Sequence, residues 1–149
     1  MGRLAALALA GCVCATGCTE SHSSSTSPTS PAAMLEAIAG NWTLGSSGSL
    51  PDGCTALDYT ITKSGDGQSG EIQFDGTCAG VRATGTGKGT LSGSTLQWTA
   101  DGTATRDGLT CPFNVTQGTA QLEGNGVRVT YAGTVCGVPV SGSDLLRRK

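Results

Sequence analysis

The sequence predicts an all-β domain: an eight-stranded antiparallel up-and-down barrel, or a closely packed sandwich, made of two similar four-stranded halves behind a short N-terminal helix. Three observations predict it. Apolar side chains recur at every second residue in short runs, and glycine-containing turns separate the runs. A pattern of Trp and Cys also repeats once, with a period of roughly 57 residues. Only 13% of the 149 residues are charged and 24 are glycine, while Thr and Ser are abundant and large apolar residues are singly spaced. Such a profile suits short strands joined by tight turns, and helical bundles lack it.

In the first half, alternation marks Leu57-x-Tyr59-x-Ile61 and Ile72-x-Phe74, on either side of the turn Ser64-Gly65-Asp66-Gly67. Weaker strands bracket them near Trp42–Leu44 and Val81–Leu91. In the second half the runs are Leu96-x-Trp98-x-Ala100, Phe113-x-Val115, Val127-x-Val129-x-Tyr131 and Val138-x-Val140. Gly124-Asn125-Gly126 is a hairpin signal because Asn and Gly tolerate positive φ. The halves align as pseudo-repeats at about 41–97 and 98–149. Trp42 leads to Cys54 as Trp98 leads to Cys111, and Phe74-Asp-Gly76-Thr77-Cys78 matches Tyr131-Ala-Gly133-Thr134-Val-Cys136 with a one-residue shift. Twice four strands hide their edges most economically by closing on themselves. Ala32–Ala39 (AAMLEAIA) is the helix-like stretch.

Upstream, a basic start at Met1-Gly-Arg3 precedes the apolar run Leu4–Ala10, which is too short to span a membrane. Leu9-Ala10-Gly11-Cys12 and Ala15-Thr16-Gly17-Cys18 follow. They resemble the lipobox of bacterial lipoproteins, in which a Cys after small residues is diacylated and becomes the mature N-terminus. The resemblance implies a signal peptide at 1–17 and lipid attachment at Cys18, with Cys12 as the alternative. Cys18 gives the more ordinary signal length and leaves an even number of cysteines beyond it. Residues 18–31 then hold the lipidated Cys and a Ser/Thr/Pro-rich tether, too polar to build a core, and the β domain occupies 32–149. Neither Cys is followed by Asp, which by the same resemblance implies the outer membrane or cell envelope, facing the periplasm or the cell surface. A plain secretory signal with incidental cysteines is the other reading.

In an oxidising compartment Cys54, Cys78, Cys111 and Cys136 read as two disulfides. The pairing 54–78 with 111–136 is favoured because each pair lies almost symmetrically about a turn, at Asp66 and at Glu123-Gly124. Each closure contributes ~3 kcal/mol in the chain-entropy account. Alternation puts Cys54 out of phase with Tyr59, and Cys136 out of phase with Tyr131. Either a bulge resets the phase beside each Cys, or the pairing crosses the repeats. Gly40-Asn41-Trp42 resembles the Gly-x-Trp of the lipocalin-like, or calycin, group. That resemblance implies a first strand at the mouth of an eight-stranded barrel.

Chemistry-bearing motifs are scarce. The one His is His22, in the tether, so Ser-His-Asp and Cys-His nucleophiles are excluded. Asp58, Glu71 and Asp75 alternate opposite to the apolar face and read as solvated charges, while Asp101 and Asp107 lie on strands or turns. Gly85-Thr86-Gly87-Lys88-Gly89-Thr90 lacks the Gly-Lys-Ser/Thr ending of a phosphate loop and reads as a Gly-rich strand or turn. A zinc site needs closer ligand pairs than these cysteines offer, so no metal and no cofactor are expected. The net charge of −2 argues against nucleic acid as a partner. Arg147-Arg148-Lys149 reads as a solvated terminus, with anionic lipid as the alternative contact. Trp42, Trp98, Tyr59, Phe74 and Tyr131 fill the core or line a ligand cavity. The expected function is a membrane-anchored, non-enzymatic binding or structural module of the cell envelope, with a protein or small-molecule partner of unknown identity. The alternative is a lipocalin-like carrier of a small apolar ligand.

Overall fold

A computed structural model describes residues 30–44 and 54–149. The signal-like segment 1–17, Cys12, Cys18, the tether with His22, and Asp52-Gly53 lie outside the described residues. One helix, α1 (Pro31–Ile38), precedes the strands β1 (Gly40–Leu44), β2 (Cys54–Lys63), β3 (Ser69–Cys78) and β4 (Val81–Ser92). These are followed by β5 (Thr95–Arg106), β6 (Leu109–Glu123), β7 (Gly126–Val135) and β8 (Val138–Arg148). Each strand pairs antiparallel with the next and β8 returns to β1, so the sheet is a closed up-and-down barrel rather than a sandwich. The two pseudo-repeats fall on β1–β4 and β5–β8, with Trp42 and Trp98 on the first strand of each half and Cys54 and Cys111 on the second.

α1 begins at Pro31, one residue into the stretch whose composition suggests tether. Ser30 caps it by accepting a hydrogen bond from the Ala33 N–H at 3.2 Å, and Pro31 suits a first-turn position whose N–H would be unpaired anyway. Met34, Leu35 and Ile38 are buried, and the helix touches β2, β4 and β6. Strands so spread around the cylinder place α1 across one end, as a plug. Trp42 fastens it by donating its Nε1–H to the Ile38 carbonyl at 2.7 Å. Arg148 lies 4.6 Å over the Trp42 ring and donates to the carbonyls of Ala37 (2.8 Å) and Ala39 (3.2 Å). A cation on the last carbonyls of a helix is favoured by its dipole, and the ring face adds a cation–π contact. The C-terminus is therefore not frayed: β8 runs to Arg148, and the Lys149 N–H bonds the Asn41 carbonyl at 3.0 Å.

The inner wall explains the glycines. Following paired residues from Trp42 through Tyr59, Phe74, Gly85, Gly102 and Phe113 to Val135 leads round to Val138, whereas Trp42 itself pairs with Arg148. That offset is the strand tilt that closes eight strands into a narrow cylinder. Within it, large rings lie across from glycine: Phe74 pairs with Gly85, Trp98 with Gly89 and Gly118, and Tyr131 with Gly142. A β-carbon added at Gly85, Gly118 or Gly142 would fall on the opposing ring. The Gly-rich run 85–90 is thus a strand, with its glycines inward and Thr86, Lys88 and Thr90 outward and exposed.

Turn chemistry divides the two ends. At the plugged end the β2–β3 loop is held by Asp66, whose carboxylate accepts from the N–H groups of Gln68 (3.0 Å) and Ser69 (2.9 Å) and from the Ser69 hydroxyl. The Ser69 hydroxyl and these two amides hold its pKa down to about 2. Gly124 takes the positive φ of the β6–β7 turn and Asn125 does not. At the other end, three hairpins turn through Ala79-Gly80, Asp107-Gly108 and Cys136-Gly137, with positive φ at both residues of each, the geometry of type I′ turns.

Replacing Gly118 by Ala should force Trp98 aside and cost about 2 kcal/mol, within the range of overpacked cores. Gly65→Ala, where nothing lies within 4 Å and φ is ordinary, should stay within ~0.5 kcal/mol of wild type. Urea midpoints of the two variants check the contrast.

Candidate functional site

The end opposite α1 is the candidate. Its three I′ turns bring together Val81, Ala104, Leu109, Cys111, Val135 and Cys136 around a hollow of about 480 Å³. Leu109, which lines it, and Val138, paired with Val135 just past the β7–β8 turn, are 79% and 62% exposed. Large apolar groups left in water at a rigid concave end mark a binding surface more often than chance does. Rigidity comes from the Cys111–Cys136 disulfide, whose Cα atoms are 5.2 Å apart, and from the Cys136 N–H bonded to the Pro112 carbonyl at 2.9 Å. Cys136, Ala79 and Asp107 all adopt left-handed backbone without being glycine, so strain is concentrated at this end. A larger open groove, about 790 Å³, crosses the outer wall over β4–β7. It is lined mostly by polar residues such as Lys88, Gln97, Thr99 and Thr130, together with Trp98, Tyr131 and Ala132, whereas the mouth carries large apolar side chains in solvent and is the better candidate.

The phase problem of the cysteines resolves in two different ways. A register shift between Cys54 and Ala56 resets β2, as a bulge does, and sets the Cys54 backbone opposite Cys78. Cys78 is disulfide-bonded. Cys136 needs no bulge, because it has left β7 and sits in the β7–β8 turn. The second-half pairing 111–136 forms within its own repeat.

Beneath the rim, the inner wall is apolar and aromatic with one exception. Tyr59 and Phe74 have ring centroids 6.4 Å apart, and Phe113 meets Phe74 edge-on at 5.0 Å. Tyr131 lays its hydroxyl over Gly142. Asp144 shares the inward face of β8 with Gly142 and Leu146, and it pairs across to buried Val129. Burial raises its pKa above the ordinary carboxylate range, against a smaller opposite pull from the Arg128 charge. Burial raises the Tyr59 hydroxyl strongly and the Tyr131 hydroxyl as well, and the Asp144 charge adds to both. Sequence reasoning passed over Asp144 although the signal was present, since Val138, Val140, Gly142, Asp144 and Leu146 share one parity. Arg148 carried no such signal; only the docked helix gives it a role.

Of the predicted lining residues, Tyr59, Phe74 and Tyr131 come together on this inner wall. Trp42 is placed elsewhere, clamped between α1 and Arg148 at the sealed end, where Gly40-Asn41-Trp42 therefore also lies. Trp98 is buried over Gly118, and its Nε1–H is the one buried side-chain polar atom without a hydrogen-bond partner among the described residues. Asp58 and Asp75 face outward as alternation predicts, Asp75 pairing with Arg82 (2.7 Å) and Asp58 with Lys149 (2.8 Å), and Asp101 accepts from Asn114 (2.7 Å). Among the described residues, no group of three or more His, Cys, Asp or Glu is placed to hold a metal ion.

Ala79→Gly should relieve left-handed strain and raise stability by ~1 kcal/mol, read as a higher urea midpoint at unchanged m-value. Asp144 predicts a pH effect with a definite sign. A raised folded-state pKa favours folding below the unfolded pKa, and that advantage is lost as pH rises through the folded value. Asp144→Asn should therefore be more stable than wild type at pH 8, by no more than ~1 kcal/mol because water screens the half-exposed group. At pH 3, with both side chains neutral, the difference should vanish. The chain matches no protein-family model, no curated protein and no solved structure.

Proposed function

We propose that this protein is a membrane-tethered, non-enzymatic binding module of the cell envelope that engages its partner through the disulfide-braced mouth of the barrel. The observation that carries the reading is the asymmetry of the two ends. One end is sealed by α1 and bolted by Trp42 and Arg148, while the other offers Leu109 and Val138 to solvent around a hollow. The direction of the chain supports a tether. α1 begins at the sealed end, so an acyl anchor at Cys18, or alternatively Cys12, would hold that end toward the outer membrane and leave the mouth facing away. The short chain between Cys18 and Ser30 suits a spacer of that kind.

The second reading, a lipocalin-like carrier, draws on Phe113, Tyr131 and Asp144, which share the inward parity of their strands and are only half-buried. Rings packed onto glycines work against a spacious lumen. Both readings share the mouth and differ in how deep the ligand goes.

The test is mass spectrometry of the full-length gene product purified from bacterial membranes, run natively and again after denaturation. The anchored reading expects a chain beginning at Cys18 or Cys12 and carrying acyl groups. An unacylated chain would sink it. Extra mass lost on unfolding would put the carrier reading ahead, and a bare barrel would direct the search to protein partners at the rim.

A further inference from the structure

β6 departs once from the two-residue period of a strand. Val115 and Gly118 are buried, and the two residues between them, Thr116 and Gln117, are both exposed. The register gives the reason. Towards β5, Ala100 pairs with Val115 and Trp98 with Gly118, so Thr99 alone stands against Thr116 and Gln117. Towards β7, Val115 pairs with Gly133 and Gln117 with Ala132, which leaves Thr116 with no opposite residue. One residue is inserted here, a bulge that bends its strand and interrupts the ladder. Barrel closure does not call for it. β2, the counterpart of β6 in the first half, pairs with β3 residue for residue from Ala56 to Lys63. A bulge that the other half does without marks a place where side chains are re-aimed for use.

Thr116 and Gln117 both line the open groove of about 790 Å³ over β4–β7. That volume lies within the ~300–1,000 Å³ range of small-molecule sites. Hydroxyls and amides make up most of the lining, and each of these groups both donates and accepts, as a sugar hydroxyl does. The one charged residue in the lining is Lys88, on the β4 side. It is exposed and makes no ion pair among the described residues, although Glu71 stands opposite it on β3. The side chains of Gln97, Thr99 and Gln117 are likewise without partners among the described residues. Thr116 is fixed instead, donating to the Ala132 carbonyl at 3.3 Å, and the Thr119 and Thr130 hydroxyls share a hydrogen bond of 2.6 Å. A neutral wall of two-way groups with a single cation beside it matches a ligand rich in hydroxyls that carries an acid.

We propose that this groove binds an acidic saccharide, a uronic-acid chain whose carboxylate meets the Lys88 ammonium and whose hydroxyls bond Gln97, Thr99 and Gln117. The charge-assisted contact gives the preference for an acid, and the bulge supplies Gln117 on the outer face. The groove lies on the side wall, away from the mouth, and the proposal stands whether or not the mouth engages a partner.

Titration calorimetry at low salt on the full-length gene product, held in a non-glycosidic detergent, tests it with trigalacturonate and its uncharged methyl ester. Trigalacturonate should bind at least about tenfold more tightly than the ester. Lys88→Gln should abolish that preference and leave ester binding unchanged. Gln117→Ala should weaken both probes about fivefold, the loss of one hydrogen bond. Leu109→Ser, at the mouth, should change neither. Thermal melts that match wild type report that the variants are folded. Equal affinity for acid and ester, a preference that survives Lys88→Gln, or binding indifferent to Gln117→Ala overturns the proposal. Binding of neither probe does the same, as does binding of propane-1,2,3-tricarboxylate as tightly as trigalacturonate, which is bare charge attraction. Saccharide binding lost in Leu109→Ser would belong to the mouth and overturn the groove while leaving the mouth as a binding end.

Discussion

A cylinder of eight strands has room inside for side chains and little more, and that limit governs most of this protein. Six large rings and a set of branched aliphatics must share one narrow lumen. They fit because the wall facing the rings has no side chains: Gly85 under Phe74, Gly118 under Trp98, Gly142 under Tyr131. Glycine costs strand stability through backbone entropy, and the cross-strand ring recovers part of it by covering the bare backbone. The high glycine content is therefore a packing device, and the same fact keeps the interior close to filled.

The two ends are finished by different physics. At one, an eight-residue helix is laid across the strands and fixed by polar bonds to its C-terminal carbonyls, an arrangement that uses groups a helix end leaves unsatisfied. At the other, closure is covalent and conformational, from a disulfide and three tight turns with left-handed residues. A helix plug buries apolar surface, whereas braced turns leave it exposed. The end stiffened by cross-links is accordingly the end able to present a fixed apolar surface to a partner without first ordering itself.

The correspondence between halves also has its limits. Trp42 and Trp98 occupy matching strands and both point inward, yet Trp42 finds a helix carbonyl for its indole N–H and Trp98 finds no partner among the described residues. The helix belongs to the first half alone, so only one of the two tryptophans has a helix end to bond. Arg148 likewise serves Trp42 because β8 returns to β1, a neighbour relation that exists only once the barrel has closed.

Much of this was legible in the residues alone. Alternation located the strands, glycine and Asx residues located the turns at 64–67 and 124–126, and parity placed Asp58, Glu71 and Asp75 outside; read to its end, parity also puts Asp144 inside. These are local properties, fixed by the two-residue period of a strand and by which residues accept positive φ. What only the tertiary structure decided depends on pairs far apart in sequence. The closure of β1 on β8, the bulge that resets Cys54, the end that α1 seals, and the stacking of Arg148 on Trp42 all join segments whose proximity no local pattern encodes. Strand tilt sets those pairs, and tilt is a property of the closed sheet, not of any strand within it.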